Sequence, residues 1–357
     1  MKKIISLLLV AVMLVAAMCT LTACDNTATN EDFKIGFIFL HDENSTYDKN
    51  FLDAAEAAVA ELGLKPEQVI FKTNIPEGNE CYEAAADMAD QGCDIVFANS
   101  FGHEPYMLKA AKEFPDVQFC HATGTTAHTE NLPNFHNAFA SIYEGRYLAG
   151  IAAGMKLNEM IEAGKITADQ AKMGYVGAYT YAEVVSGYTS FYLGAKSVCP
   201  SVTMEVQFTG SWYDEALEKE AATKLLSNNC VLISQHADSM GAPTACENAG
   251  VPNVSYNGST ESACPNTFIV SSRIDWAPYF KYIINAELKG EVHVFDTATF
   301  TVGGETLTSY MADVDTDANY EKDTEVIADG YFHESEFRSA PYFDLTIDGI
   351  TLLNSAF

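Results

Sequence analysis

Positive charge is scarce in this 357-residue chain: 20 Lys and Arg stand against 49 Asp and Glu, a formal net charge of −29. Such a surface repels phosphate backbones, so no nucleic-acid partner is expected. Long apolar runs are missing after the N-terminus, and nothing later approaches the ~20 residues of a membrane-spanning helix. Tryptophan occurs only at Trp212 and Trp276. The nine cysteines (Cys19, Cys24, Cys81, Cys93, Cys120, Cys199, Cys230, Cys246 and Cys264) include no CxxC and no close pair. That spacing argues against a disulfide framework and against structural zinc. Cys81, Cys93 and Cys120 fall in helix- or strand-patterned stretches, where free cysteine behaves as a small buried hydrophobe. Catalytic signatures are missing too: there is no G-x-S-x-G elbow, no HExxH, and no carboxylate pair expected to share a loop tip. Neither GxGxxG nor a Walker A pattern offers a phosphate cradle. Asp313, Asp315 and Asp317 start like a calcium loop, but Ala318 and Thr324 stand where Gly and Glu are needed. No metal, no cofactor and no enzymatic activity are therefore expected.

What is present begins at the N-terminus. Lys2 and Lys3 precede an apolar stretch, Ile4 to Met18, too short for a confident span, and Leu21-Thr22-Ala23-Cys24 follows. This is the layout of an export signal. Ending on cysteine, it reads as a lipobox, with cleavage before Cys24 and diacylglycerol on its sulfur. Residues 1–23 are the signal and 24–33 a polar tether. Loss of Lys2 and Lys3 takes the charge to −31.

Roughly 325 residues remain, enough for two domains of ordinary size. "KIGFIFL" from Lys34 is a continuous apolar run, as in a strand buried on both faces. "NFLDAAEAAVAEL" then carries Phe51, Leu52, Ala55, Val59 and Leu62 at helical spacing and stops at Gly63 and Pro66. "QVIFK", "DIVFAN" and "VQFCHA" are strands alternating with helices 79–91 and 105–114. Alternation of this kind implies a parallel sheet with helices on both faces. The pattern restarts with the small-residue helix "YEGRYLAGIAAGMKL" and the strands "MGYVGA", "TMEVQFT", "CVLISQ", "PNVSYN" and "NTFIVSS". The expected fold is α/β, two doubly wound parallel sheets in tandem. From Glu291 on, strand-like alternation takes over.

Open parallel sheets bind ligands beyond the carboxyl ends of their strands. That rule selects the loops 40–48, 99–104, 121–126, 178–184, 209–214, 235–240, 256–260 and 271–276. They are rich in aromatic and uncharged polar groups: Tyr47, Ser100, Phe101, Tyr179, Tyr181, Trp212, Tyr213, Asn257 and Trp276. Carboxylates are few, chiefly Glu183 and Asp238, and the only candidate cations are Lys49 and Arg273. Such loops suit a flat, neutral ligand held by stacking and a few hydrogen bonds. Asp238 has an alternative role as a helix N-cap, Trp276 as an anchor for the last crossover helix, and His236 reads as a structural histidine.

Six stretches carry a resemblance: "FANSFGHEP" (97–105), "FPDVQFCHATG" (114–124), "YEGRYLAGIAAG" (143–154), "MGYVGAYTYAEVVSGYTSFYLGAKSV" (173–198), "SWYDEALEKEAATKLL" (211–226) and "SQHADS" (234–239). In this order they resemble the basic membrane protein family of lipoproteins, the purine and nucleoside receptors of ABC transporters, and within it the branch that binds purine bases. The resemblance covers roughly residues 34–290. It implies the type I periplasmic-binding-protein fold, with ligand in a cleft at the hinge. The N-terminal lobe would comprise 34–139 plus about 272–357, and the C-terminal lobe 140–271. By the same likeness Tyr47 would stack on a base, Trp212 would face it from the second lobe, Asp238 would be the acidic recognition residue, and Ser100 and Phe101 would belong to the "SFG" loop. Tyr181, Glu183, Asn257 and Trp276 complete the expected ligand set. The partners implied are a purine base or nucleoside, an ABC permease and the membrane through Cys24, with the chain a monomer on the extracytoplasmic face of the bacterial cell membrane.

The loop "HDENSTYDKNF" departs from the family's usual first loop, as do "SYNGST" and the tail from Glu291, so Asp48 and Asn50 are not carried over. Another small neutral solute, a sugar or a different heterocycle, remains open, as does a surface nucleosidase using Asp238 or Glu183 with a histidine.

Overall fold

The computed structural model describes residues 31–140, 142–289, 320–322, 326–328 and 348–354. Cys24, residues 25–30 of the expected tether and the stretch Asp313 to Asp317 lie outside them, while Phe33, assigned to the tether, is buried in the first-lobe core.

The first lobe alternates β1 (Ile35–Ile38), α1 (Thr46–Leu62), β2 (Val69–Lys72), α2 (Asn79–Asp90), β3 (Ile95–Ala98), α3 (Glu104–Glu113), β4 (Gln118–Ala122), the short α4 (Ala127–Glu130) and β5 (Phe135–Ala140). All four residues of β1 and of β3 are buried, which is why these segments are continuously apolar. The helix α1 starts where the Ser45 hydroxyl accepts the Asp48 N–H at 3.1 Å, and it stops where Gly63 turns left-handed at φ 67°.

The second lobe runs α5 (Ile142–Glu162), β6 (Lys172–Gly177), α6 (Ala182–Val198), β7 (Thr203–Phe208), α7 (Glu215–Ser227), β8 (Leu232–His236), α8 (Gly241–Ala249), β9 (Asn253–Tyr256) and β10 (Phe268–Ser272). The small residues of α5 serve a close crossing with α6. A Cβ on Gly150 would strike the Phe191 carbonyl, and one on Gly194 the Tyr147 carbonyl.

After β10 the chain returns to the first lobe as α9 (Ala277–Leu288). Phe280 of this helix meets Phe37 edge-on at 5.1 Å and Phe97 at 4.8 Å, so α9 covers the first sheet beside α1. Three short strands complete the sheets: β11 (Tyr320–Lys322), β12 (Val326–Ala328) and β13 (Ile350–Leu352). The sheet orders are β12-β5-β4-β3-β1-β2 and β11-β10-β9-β8-β6-β7-β13, parallel throughout except where β12 runs antiparallel to β5. Among the described residues after 272, α9 and β12 thus join the first lobe and β11 and β13 the second, against the expectation that about 272–357 joins the first. Both edges of the second sheet are open to pairing: β11 adds beside β10, and Ile350 lies opposite Met204 on β7.

Candidate functional site

In each lobe the first strand lies between the second and the third, β2-β1-β3 and β7-β6-β8. The direction of winding reverses there, and the crevice beyond those strand ends is the ligand position of open α/β sheets. The two crevices share one small cavity of about 20 Å³, which the surrounding side chains nearly fill. The first lobe lines it with Leu40, Tyr47, Ser100, Phe101 and Thr123, and the second with Glu183, Trp212, His236, Asp238 and Tyr256.

Tyr47 lies in the first turn of α1. Its hydroxyl donates to the Asn99 carbonyl at 2.7 Å and its ring meets Phe51 edge-on at 4.9 Å. The neighbouring Asp48 is fully buried and receives the His41 N–H at 3.1 Å, the Ser45 hydroxyl at 2.7 Å and Asn99 Nδ2 at 2.7 Å. Burial alone raises the Asp48 pKa, but hydrogen bonds from His41, Asn99 and Ser45 outweigh it and leave the group below its ordinary value. Asp48 therefore ties the loop after β1 to the loop after β3. Thr123 holds φ 65°, an uncommon conformation for a β-branched residue, and its buried hydroxyl makes no hydrogen bond of good geometry. The following loop is fixed by Glu104 Oε1, which accepts Thr125 N, Thr126 N and the Thr126 hydroxyl at 2.8 Å each.

In the second lobe, Asp214 caps α7 by accepting the Leu217 N–H at 2.9 Å. Trp212 stands two residues before that cap, and its carbonyl accepts the Asp238 N–H at 3.0 Å. The Asp238 carbonyl in turn accepts the Thr46 N–H from the first lobe at 3.0 Å. The N-cap alternative for Asp238 does not hold, because α8 begins at Gly241, whose N–H goes to the Ser239 hydroxyl at 3.1 Å. The Asp238 side chain is 4% exposed and accepts no hydrogen bond among the described residues. Burial, with Asp48, Glu218 and Glu183 nearby, pushes its carboxyl well above the ordinary range.

His236 stacks on Tyr256 at 3.8 Å between ring centres, and the Tyr256 hydroxyl donates to Glu183 Oε1 at 2.9 Å. His236 Nε2 lies 3.8 Å from the same oxygen and has no hydrogen bond. Burial lowers the His236 pKa despite Glu183, so the ring is neutral. A row of aromatics closes the mouth: Phe101 against Tyr181 at 4.8 Å across the lobes, Tyr181 against Tyr179 at 5.2 Å, and Tyr179 edge-on to Trp212 at 4.9 Å.

Of the expected ligand set, Tyr47, Ser100, Phe101, Glu183, Trp212 and Asp238 converge on the cavity, and Tyr181 stands at its rim. Two residues lie elsewhere. Trp276 is fully buried in the first-lobe core, stacked on Phe51 at 4.6 Å, because the crossover into α9 carries it back there. Asn257 is off the cavity lining, its Oδ1 held by Asn50 Nδ2 of the other lobe at 2.9 Å. Lys49 pairs with Asp53 at 2.7 Å, and among the described residues no Lys or Arg lines the cavity. Leu40, Thr123, His236 and Tyr256 line it without having been singled out as ligand residues. Each falls in a loop that the strand-end rule selects; Tyr256 also has the aromatic character that marks those loops, whereas nothing in the residue type of Leu40 sets it apart.

A family model described as "Bmp: ABC transporter substrate-binding protein PnrA-like" matches residues 37–328. A purine-binding protein of Brucella abortus is 32% identical over 263 residues, 73% of this chain and 70% of that protein. A Haloferax volcanii protein named for ABC-transporter glucose binding is 33% identical over 187 residues, 52% of this chain and 44% of its own length. Among solved structures, a solute-binding protein of an ABC transporter system from Aeropyrum pernix K1 aligns with a TM-score of 0.62 at 20% identity, over 72% of this chain and 71% of that one. A counterpart from Conexibacter woesei aligns at 0.58 and 22% identity, over 72% and 82%. These two likenesses establish the fold, that of periplasmic binding proteins.

Proposed function

The chain belongs to the Bmp family of PnrA-like ABC transporter substrate-binding proteins, and on that premise we propose that it captures a purine base or nucleoside between its lobes and delivers it to an ABC permease. The observation that carries this reading is the cavity: aromatic rings from both lobes around a buried carboxyl group that no donor among the described residues satisfies. Stacking on such rings contributes about 1–3 kcal/mol per base. An unpaired buried carboxyl group selects a ligand that brings its own N–H donors. The purine-binding relative supports the same class.

Because the lining comes from both lobes, a ligand makes all its contacts only in the closed state, which biases the hinge towards closure. Asp238 joins the two events, since its side chain lines the cavity while its carbonyl accepts Thr46 N–H from the opposite lobe. Cys24 would carry the lipid that keeps the receptor at the extracytoplasmic membrane face, as a monomer beside its permease. No helix among the described residues is long and apolar enough to cross a membrane.

Thermal shift on ligand-stripped protein tests the assignment, because a ligand that binds only the folded state raises stability, by about 2.7 kcal/mol at a hundred times its Kd. Adenine, guanine, hypoxanthine, xanthine or their nucleosides should raise the melting temperature. If none does, the purine assignment is wrong. The Haloferax relative motivates glucose as the second ligand in the same screen. Incubation with inosine should release no free base, and turnover would sink the receptor-only reading.

A further inference from the structure

We propose that the cavity selects purines with an exocyclic amino group, adenine- or guanine-like, over oxopurines such as hypoxanthine and xanthine. This rests on the purine reading above and concerns which members of that class fit.

The inference follows from where the hydrogens of the lining side chains already point. The Tyr47 hydroxyl donates to the Asn99 carbonyl at 2.7 Å, that of Tyr256 to Glu183 Oε1 at 2.9 Å, and that of Ser100 to Glu77 Oε1 at 2.5 Å. These three oxygens can only accept from a ligand. Apart from the carboxyl groups, the side-chain donors left are the Thr123 hydroxyl and the single N–H of a neutral His236. Facing them are the second oxygen of Glu183 and the Asp238 carboxyl, whose raised pKa favours a protonated form with one O–H beside one acceptor oxygen. The lining is rich in acceptors and poor in donors.

The one fully buried cation among the described residues does not change this balance. Arg146 lies outside the lining, about 5.9 Å from the Tyr256 ring, and donates to the Ser255 carbonyl at 2.7 Å and to the hydroxyls of Ser272 and Ser234. A ligand must therefore bring the donors. An amino group supplies two. A carbonyl in its place turns lone pairs towards buried oxygens and leaves them unpaired.

Two matched pairs probe the effect. Adenine and hypoxanthine differ by amino against carbonyl at C6, with N1 turned from acceptor to N–H, and guanine and xanthine by the same exchange at C2, with N3 turned to N–H, so each amino purine keeps one donor more and one acceptor at the neighbouring ring position. Titration calorimetry on the ligand-stripped full-length protein, at mildly acidic pH so that xanthine stays uncharged, should show each amino purine binding at least about tenfold more tightly than its oxo partner. Equal or tighter binding of either oxo partner overturns the inference and leaves the purine reading standing. Failure of all four to bind overturns both. Asp238→Asn places an N–H2 group beside the ligand and should bring the ratio of at least one pair to within about threefold. Unchanged ratios in a folded Asp238→Asn protein would remove Asp238 as the discriminating group. If that variant does not fold, the wild-type pairs alone decide.

Discussion

Trp212→Ala separates ligand stacking from packing at the position where the two are most entangled. The ring is half-buried and lines the cavity. It also meets Tyr179 edge-on at 4.9 Å and Tyr181 at 5.9 Å, and it packs against the core of the second lobe. If it stacks on a purine, its loss costs about 1–3 kcal/mol of binding, a Kd roughly 5- to 150-fold weaker. Losing two aromatic contacts at about 0.5–1.5 kcal/mol each lowers stability as well. The protein should stay folded, because a half-buried ring contributes less than the 3–5 kcal/mol typical of a fully buried Trp→Ala change. Calorimetry with adenine, well below the melting temperature of each protein, measures the binding loss, and a thermal melt measures the packing loss. The second tryptophan makes fluorescence a clean companion assay. Trp276 is sealed in the first-lobe core against Phe51, so a ligand-dependent change should disappear in Trp212→Phe while that variant keeps most of the affinity. Wild-type affinity in Trp212→Ala, with a lowered melting temperature, would refute the stacking role and leave Trp212 as a packing residue.

Asn50→Ala deletes the buried bond from Asn50 Nδ2 to Asn257 Oδ1 between the lobes and should weaken ligand binding by about 1 kcal/mol, although neither side chain lines the cavity; an unchanged Kd by calorimetry would show that this bond does not favour closure. Glu218 is buried behind the Asp238 loop, where it accepts N–H groups from Ser239 and Asp214, and burial pushes its pKa to about 7 against an ordinary 4.5. Its contribution to stability is fully present below about pH 4.5 and falls as pH rises through 7, by up to about 3 kcal/mol. Melting temperatures between pH 5 and 8 should therefore decline less in Glu218→Gln than in wild type, and parallel curves would contradict this. Gly150→Ala presses a methyl group onto the Phe191 carbonyl and should destabilise the protein by about 1–3 kcal/mol, seen as a lower urea midpoint at unchanged slope.

Local sequence was sufficient wherever one segment decides its own conformation. The apolar run after Lys34, the helical spacing stopped by Gly63, and the glycines of α5 each state a burial pattern that holds in any context. The alternation of such segments implies two parallel sheets, and the strand-end rule then selects loops without reference to a structure. Six of the nine expected ligand residues converge on the cavity for that reason. The sequence was equally sufficient for the acidic balance and the shortage of cations in the loops.

Only the tertiary structure separated residues that look alike in sequence. Trp212 and Trp276 both stand just before a helix, yet one lines the cavity and the other is core, because the chain crosses back to the first lobe between β10 and α9. His236 and Tyr256 end different strands, and they become one stacked floor because β8 and β9 are neighbours in the sheet. Asn257 occupies a selected loop but is held by Asn50, some two hundred residues away in the other lobe. In each case the deciding contact is long-range. A side chain's partner across a lobe boundary depends on how whole elements pack, and a window of sequence holds no record of that.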